Sequence, residues 1–115
     1  MDKTILVAGG GISGLTATVE ATEVGFDVVL IEKNPYLGGR VAQVNLYFPK
    51  LCAPNCGLEI IFKRLRANPR FRFLTMAEVT AISGGEGGFE VVVQQKPSFV
   101  NEKCTGCGRC AEVCP

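Results

Sequence analysis

The chain has 115 residues, of which 47% are hydrophobic and 20% charged, with a net charge of +1. That is the balance of one ordinary globular domain, and it gives no ground for a nucleic-acid partner or an anionic membrane surface. No apolar run approaches the roughly 18 residues that a membrane span needs, so any link to a membrane is expected to run through another protein.

Six cysteines and no histidine are present, and the cysteines are clustered rather than spread. A cytoplasmic, reducing setting with metal or redox use explains this better than a disulfide framework. Met1-Asp2-Lys3 leads directly into an apolar stretch, so no signal peptide is expected. Thr4-Ile5-Leu6-Val7-Ala8 is apolar without alternation, which predicts a parallel strand buried on both faces. The next residues match G-x-G-x-x-G at Gly9, Gly11 and Gly14. Ile12, Leu15, Val19 and Val24, with Ala17 and Ala21 between, predict a helix with one side on a sheet. Gly25 stands at the C-cap position, and Asp27 to Ile31 predict a second buried strand ending in Glu32.

Each part has a physical task. The first glycine makes a tight turn, the second lets the backbone approach a pyrophosphate, and the third lets helix and strand pack closely. Free N–H groups of the loop and of the first helical residues, Ile12 and Ser13 among them, face the phosphates. Glu32, with Lys33 beside it, can meet the ribose of an adenosine. A dinucleotide site is therefore expected at Gly9, Gly11, Ile12, Ser13, Gly14, Glu32 and Lys33.

Leu37-Gly38-Gly39-Arg40 lies in a loop with Pro35. The paired glycines allow close backbone approach, and Arg40 can meet a phosphate. A surface turn with a solvated arginine is the plainer alternative. The segment resembles the Gly-Gly-Arg stretch of the FAD-containing two-dinucleotide-binding family, and that likeness adds Gly38, Gly39 and Arg40 to the cofactor residues.

Val41 to Phe48 shows no clear period, and Pro49 to Gly57 is rich in turn residues and holds Cys52 and Cys56 at C-x3-C spacing. Leu58, Ile61, Phe62 and Leu65 mark one face of a short helix that ends at Asn68-Pro69. Lys63, Arg64, Arg66, Arg70 and Arg72 form a basic patch for an acidic partner or, more simply, a solvated face. Phe71 to Met76 predicts the third parallel strand, and Val79–Ser83 with Phe89–Gln94 predicts a hairpin at the sheet edge joined by 84–88. The strand order should be 3-2-1 with right-handed crossovers. The fold class is thus α/β: a partial Rossmann-like domain over 1–97, then the start of a ferredoxin-like module over 98–115.

The terminal motif is C-x2-C-x2-C-x3-C-P at Cys104, Cys107, Cys110 and Cys114, the bacterial ferredoxin run. Short spacings let three thiolates of one loop reach three irons of a [4Fe–4S] cubane, and Gly106 and Gly108 let the backbone curl. Structural zinc is the alternative, but it usually takes two C-x2-C pairs without such a proline. In two-cluster ferredoxins the fourth cysteine serves the other cluster, so Cys114 is expected to belong to a second one. For Cys52 and Cys56 three readings stay open: a redox dithiol beside a flavin, cluster ligands, or buried structural cysteines.

Gly9 to Gly14, Glu32, Leu37 to Gln43, Tyr47 to Cys52 and the ferredoxin run together resemble the flavin-carrying A subunit of heterodisulfide reductase and its relatives in sulfate reducers. The stretch Tyr47 to Arg66 is most similar to the A subunit of the quinone-interacting membrane-bound oxidoreductase. The resemblance implies FAD at the glycine loop, [4Fe–4S] clusters in an inserted ferredoxin module, and sister subunits that carry electrons onward. In the sulfate-reducer version electrons pass between a membrane quinone pool and adenylylsulfate reductase. In the methanogen version flavin-based bifurcation couples ferredoxin and heterodisulfide reduction. A chain of this length is expected to be an N-terminal fragment, inactive by itself. The competing functions are a pyridine-nucleotide disulfide oxidoreductase using Cys52 and Cys56, and a non-catalytic cofactor-binding carrier module.

Overall fold

The computed structural model describes residues 3–115; the reading of Met1 and Asp2 lies outside them. Strand β1 (Thr4–Ala8), helix α1 (Ile12–Val24) and strand β2 (Asp27–Ile31) open the chain. Helix α2 (Asn55–Ala67) and strand β3 (Phe71–Leu74) complete a three-stranded parallel sheet in the order β1-β2-β3. The register pairs Val7 with Leu30 and Leu30 with Phe73. The expected parallel 3-2-1 sheet is therefore present.

β2 is the central strand, and Val28, Leu30 and Ile31 are buried. β1 departs from expectation: three of its five residues are exposed. Its apolar run predicts cover on both faces, but among the described residues it pairs with β2 alone. Lys3 C=O accepts from Asp27 N–H and Gly9 N–H donates to Ile31 C=O, which directs alternate residues of β1 at β2.

The core gathers Leu15 and Val19 of α1, Leu30 of β2, and Leu58 and Leu65 of α2, flanked by Val7, Ile61, Phe62 and Phe71. The predicted face of α2 is thus the packed one. The packed face of α1 is Leu15, Thr18, Val19 and Thr22, whereas Ile12 is 40% and Val24 75% exposed. Two threonines tolerate burial because their hydroxyls donate within the helix, Thr18 to Gly14 C=O at 2.8 Å and Thr22 to Val19 C=O at 3.0 Å. Gly25 ends α1 in the left-handed region at φ 107°, as its C-cap position predicted.

Leu15 is fully buried at the centre of this cluster. Leu15→Ala should therefore cost about 2–5 kcal/mol in a urea unfolding titration, the range for a large-to-small core change. Arg64 pairs with Glu23 across α1 and α2, but both side chains are nearly half exposed. Arg64→Ala should shift stability by no more than about 1 kcal/mol in the same titration.

β3 stops at Leu74, two residues short of its predicted end, because Met76 turns the chain at φ 55°. The hairpin, β4 (Ala77–Gly85) and β5 (Gly88–Gln95), is longer than predicted and forms its own two-stranded sheet, not an edge of the three-stranded one. Ala77 N–H to Glu32 C=O, at 3.0 Å, and Met76 N–H to Asn34 C=O, at 3.2 Å, tie its root to the end of β2. Beyond Gln95 a single short helix, α3 (Arg109–Glu112), is formed, and residues 94–115 are all exposed. The radius of gyration, 16.8 Å, exceeds the about 13 Å of a compact domain of this length, consistent with a projecting hairpin and terminal run.

Candidate functional site

The C-terminal ends of β1 and β2 carry the loops that matter. Gly9 adopts φ 110°, and its N–H donates to Ile31 C=O at 2.8 Å. The first bond of α1 runs from Leu15 N–H to Gly11 C=O at 2.9 Å, so the N–H groups of Ile12, Ser13 and Gly14 have no intrahelical acceptor. A Cβ on Gly14 would overlap the Gly9 carbonyl oxygen. Gly14 thus brings helix and strand together, the task assigned to the third glycine.

Glu32 is buried, 6% exposed. Its carboxylate accepts from Gly10 N–H at 2.6 Å through Oε2 and from Asn34 N–H at 2.9 Å through Oε1. The loop amides are therefore not all free for phosphate: those of Gly9 and Gly10 are taken, and the run from Gly11 onward remains. Lys33, next to Glu32, is exposed.

The second glycine pair docks against the first loop. Gly38 N–H donates to Gly10 C=O at 2.7 Å, and Gly11 and Gly38 form a parallel bridge. Both glycines are left-handed, Gly38 at φ 114° and Gly39 at φ 57°, and a Cβ on Gly39 would lie 3.0 Å from Gly11 Cα. Leu58 of α2 backs Gly38, so the core holds this segment in place. Arg40 follows in a 3₁₀ turn, Gly39–Gln43, with its side chain exposed. In the sequence these pieces come together through a likeness alone, and neither Gly10 nor Leu37 has a task there. The signal for Gly10 was there, a glycine at a position of the motif that tolerates any residue.

A cradle so arranged has the features a dinucleotide needs: close-approach glycines, helix-start N–H groups and a carboxylate with lone pairs to spare.

Cys52 and Cys56 sit at the start of α2. The helix begins at Asn55, three residues before the predicted Leu58, and this puts Cys56 in its first turn. Cys56 is exposed and Cys52 half-buried, its Sγ 3.6 Å from Lys50 C=O. Neither is buried within the described residues. Cys104, Cys107, Cys110 and Cys114 are exposed thiols, Cys110 within α3 and the others outside it, with Gly106 at φ 70° and Gly108 at φ 80° between them. The donor set fits an iron–sulfur cluster: four thiols, short spacing and two left-handed glycines. Among the described residues no three metal-ligating side chains are gathered into a ready metal site.

Residues 7–75 match the family described as NAD(P)-binding Rossmann-like domain, which is more than half of the chain. The chain belongs to that family. Residues 97–115 of this Rossmann-like protein match a 4Fe-4S binding domain. It is 43% identical over 111 residues to an iron-sulfur A subunit of the CoB–CoM heterodisulfide reductase of Methanopyrus kandleri, covering 96% of this chain and 17% of that protein. It is 41% identical over 119 residues to the corresponding subunit of Methanocaldococcus jannaschii, covering 100% of this chain and 18% of that one. The chain thus spans under a fifth of the length of these relatives. Its fold is similar to that of L-proline dehydrogenase from P. horikoshii, with a TM-score of 0.66 and 20% identity over 83% of this chain and 20% of that one. The resemblance to the A subunit of heterodisulfide reductase is borne out, and the expected pair of cofactors, FAD and [4Fe–4S], accords with both family matches. No helix among the described residues is long and apolar enough to cross a membrane.

Proposed function

We propose that the chain is the FAD- and [4Fe–4S]-binding part of an electron-transfer oxidoreductase subunit, of the kind found as the A subunit of heterodisulfide reductase. The observation that carries this reading is the bond between Gly38 N–H and Gly10 C=O, which sets the Gly-Gly-Arg segment beside the glycine loop in a chain that also carries a ferredoxin run. FAD, when bound, would exchange an electron pair as hydride and pass single electrons to iron–sulfur clusters. The chain's own residues place and hold. Amides of Gly11 to Gly14 meet the diphosphate, Glu32 the adenosine ribose with Lys33 beside it, and Gly38 and Gly39 admit the cofactor backbone while Arg40 offsets its negative charge. Cys104, Cys107 and Cys110 would ligate one cluster, and Cys114 another. The division into a cofactor domain over 1–97 and a cluster module over 98–115 belongs to the same proposal.

The relatives are named as subunits, which supports a role beside partner subunits. That these are sister electron-transfer subunits in the cytoplasm, with membranes reached only through them, belongs to the same proposal. The reading is tested by equilibrium dialysis of the chain against FAD and NAD. FAD should be retained stoichiometrically and NAD weakly or not at all; the reverse order would sink it.

A second reading, a disulfide oxidoreductase using Cys52 and Cys56, is favoured by the exposure of Cys56 in the first turn of α2. It requires a charge-transfer band from a thiolate to the flavin once the disulfide is reduced, lost when whichever of Cys52 and Cys56 lies beside the flavin is replaced by Ser. Electron transfer through clusters requires no such band.

A further inference from the structure

Gly10 fills the variable place of the G-x-G-x-x-G motif, yet both of its main-chain groups are engaged. Its N–H donates to Glu32 Oε2 at 2.6 Å, and its C=O accepts from Gly38 N–H at 2.7 Å. A Cβ there would come within 2.6 Å of Leu37 Cδ2 and 3.1 Å of Glu32 Oε2, so only glycine fits without movement. The second oxygen of Glu32 accepts from Asn34 N–H at 2.9 Å. A closed ring results. The carboxylate at the end of β2 ties the loop after β1 to the segment after β2, and Gly38 of that segment returns to Gly10.

We propose that Glu32 is a positioning residue as well as a ribose acceptor, acting through Gly10 on the loop that receives the diphosphate. The inference rests on the dinucleotide reading of the cradle. An ionised carboxylate has about four lone-pair sites. Two are held by amides, and a ribose hydroxyl uses what is left. Removing the carboxylate leaves the N–H of Gly10 without its acceptor in a buried place and that of Asn34 in a half-buried one, and the loop no longer enters binding already ordered. Glu32 therefore supports binding even of a nucleotide that has no ribose hydroxyl to offer it.

The probes are adenosine diphosphate and its 2′,3′-dideoxy analogue, titrated calorimetrically into the 115-residue chain and its Glu32→Ala variant. The variant should bind the dideoxy nucleotide roughly tenfold or more weakly than the wild type does. Its loss of adenosine diphosphate should be at least as large. Glu32→Gln, whose amide oxygen can serve only one of the two N–H groups, should fall between. If the dideoxy affinity is unchanged while that for adenosine diphosphate falls, Glu32 is a ribose acceptor alone and the inference is overturned. If the wild type binds neither nucleotide, the dinucleotide reading itself fails, a distinct result. Amide exchange of the wild type decides the case should the variants not fold. Gly10, Asn34 and Gly38 should be protected without nucleotide and gain protection together when the dideoxy nucleotide binds; rapid exchange at Gly10 overturns the ring.

Discussion

Gly14→Val should abolish dinucleotide binding. The position lies in the first turn of α1, where the helix passes over the end of β1, and any Cβ there overlaps the Gly9 carbonyl oxygen. Gly9 C, at 3.1 Å, and Val7 Cγ1, at 3.4 Å, close the remaining space. Gly9 cannot give way, since its N–H is bonded to Ile31 C=O and its φ of 110° already suits few residues. Only a rigid-body shift of α1 away from β1 relieves the overlap, and that shift opens the loop and disturbs the contacts of Leu15. Overpacking of this kind costs about 1–3 kcal/mol or more in stability. The loss of the close approach between Gly9 and Gly14 removes the cradle besides. Gly14→Ala should retain part of the affinity, with the branched variant retaining none. Flavin content after dialysis, read with the thermal unfolding curve, checks this. A variant that keeps a full flavin complement and an unchanged unfolding midpoint would place the diphosphate elsewhere.

The parts of this fold that could be read from sequence are those where local pattern and tertiary environment agree. β2 is apolar and central, so its unalternating run meant what it suggested. α2 shows its packed stripe plainly, because Leu58, Ile61, Phe62 and Leu65 recur at helical spacing and face α1 and the sheet. β1 has an equally apolar run but an edge position among the described strands, and no single-strand pattern distinguishes the two. The α1 face differs from its apolar pattern because Thr18 and Thr22, polar in a sequence, are buried. Their hydroxyls are satisfied by carbonyls of the helix itself, which leaves their methyl groups free to pack. Met76 is harder still: nothing in its chemistry announces a left-handed residue, and that residue lies between the end of β3 and the separate hairpin. At the site, the motif spacing marked Gly9, Gly11 and Gly14, but not the ring through Gly10, since that ring joins residues 22 and 28 positions apart.

Iron–sulfur reconstitution should leave this chain with substoichiometric, labile iron, or drive it to dimerise and borrow ligands. In the ferredoxin pattern the first three cysteines of a run share one cubane while the fourth reaches another. Cys104, Cys107 and Cys110 then offer three ligands to one cluster, and Cys114 offers one to a second. Gly106 and Gly108 lie between the first three cysteines in the left-handed region, and α3, which includes Cys110, ends at Glu112 before Cys114. No residue from 94 to 115 is buried, so packing against the Rossmann-like sheet does not order the loop ahead of the metal. Binding must then order the loop itself, a cost that three thiolates meet less well than four. A chain carrying a second such run should instead hold roughly eight irons, the content of two cubanes. Iron and acid-labile sulfide analysis of both, with sedimentation to detect dimers, measures the difference. A stable monomeric [4Fe–4S] on the 115-residue chain, lost on Cys114→Ser, would show that its four cysteines close one cluster. Cys114 would then be a local ligand and not a bridge to a second site.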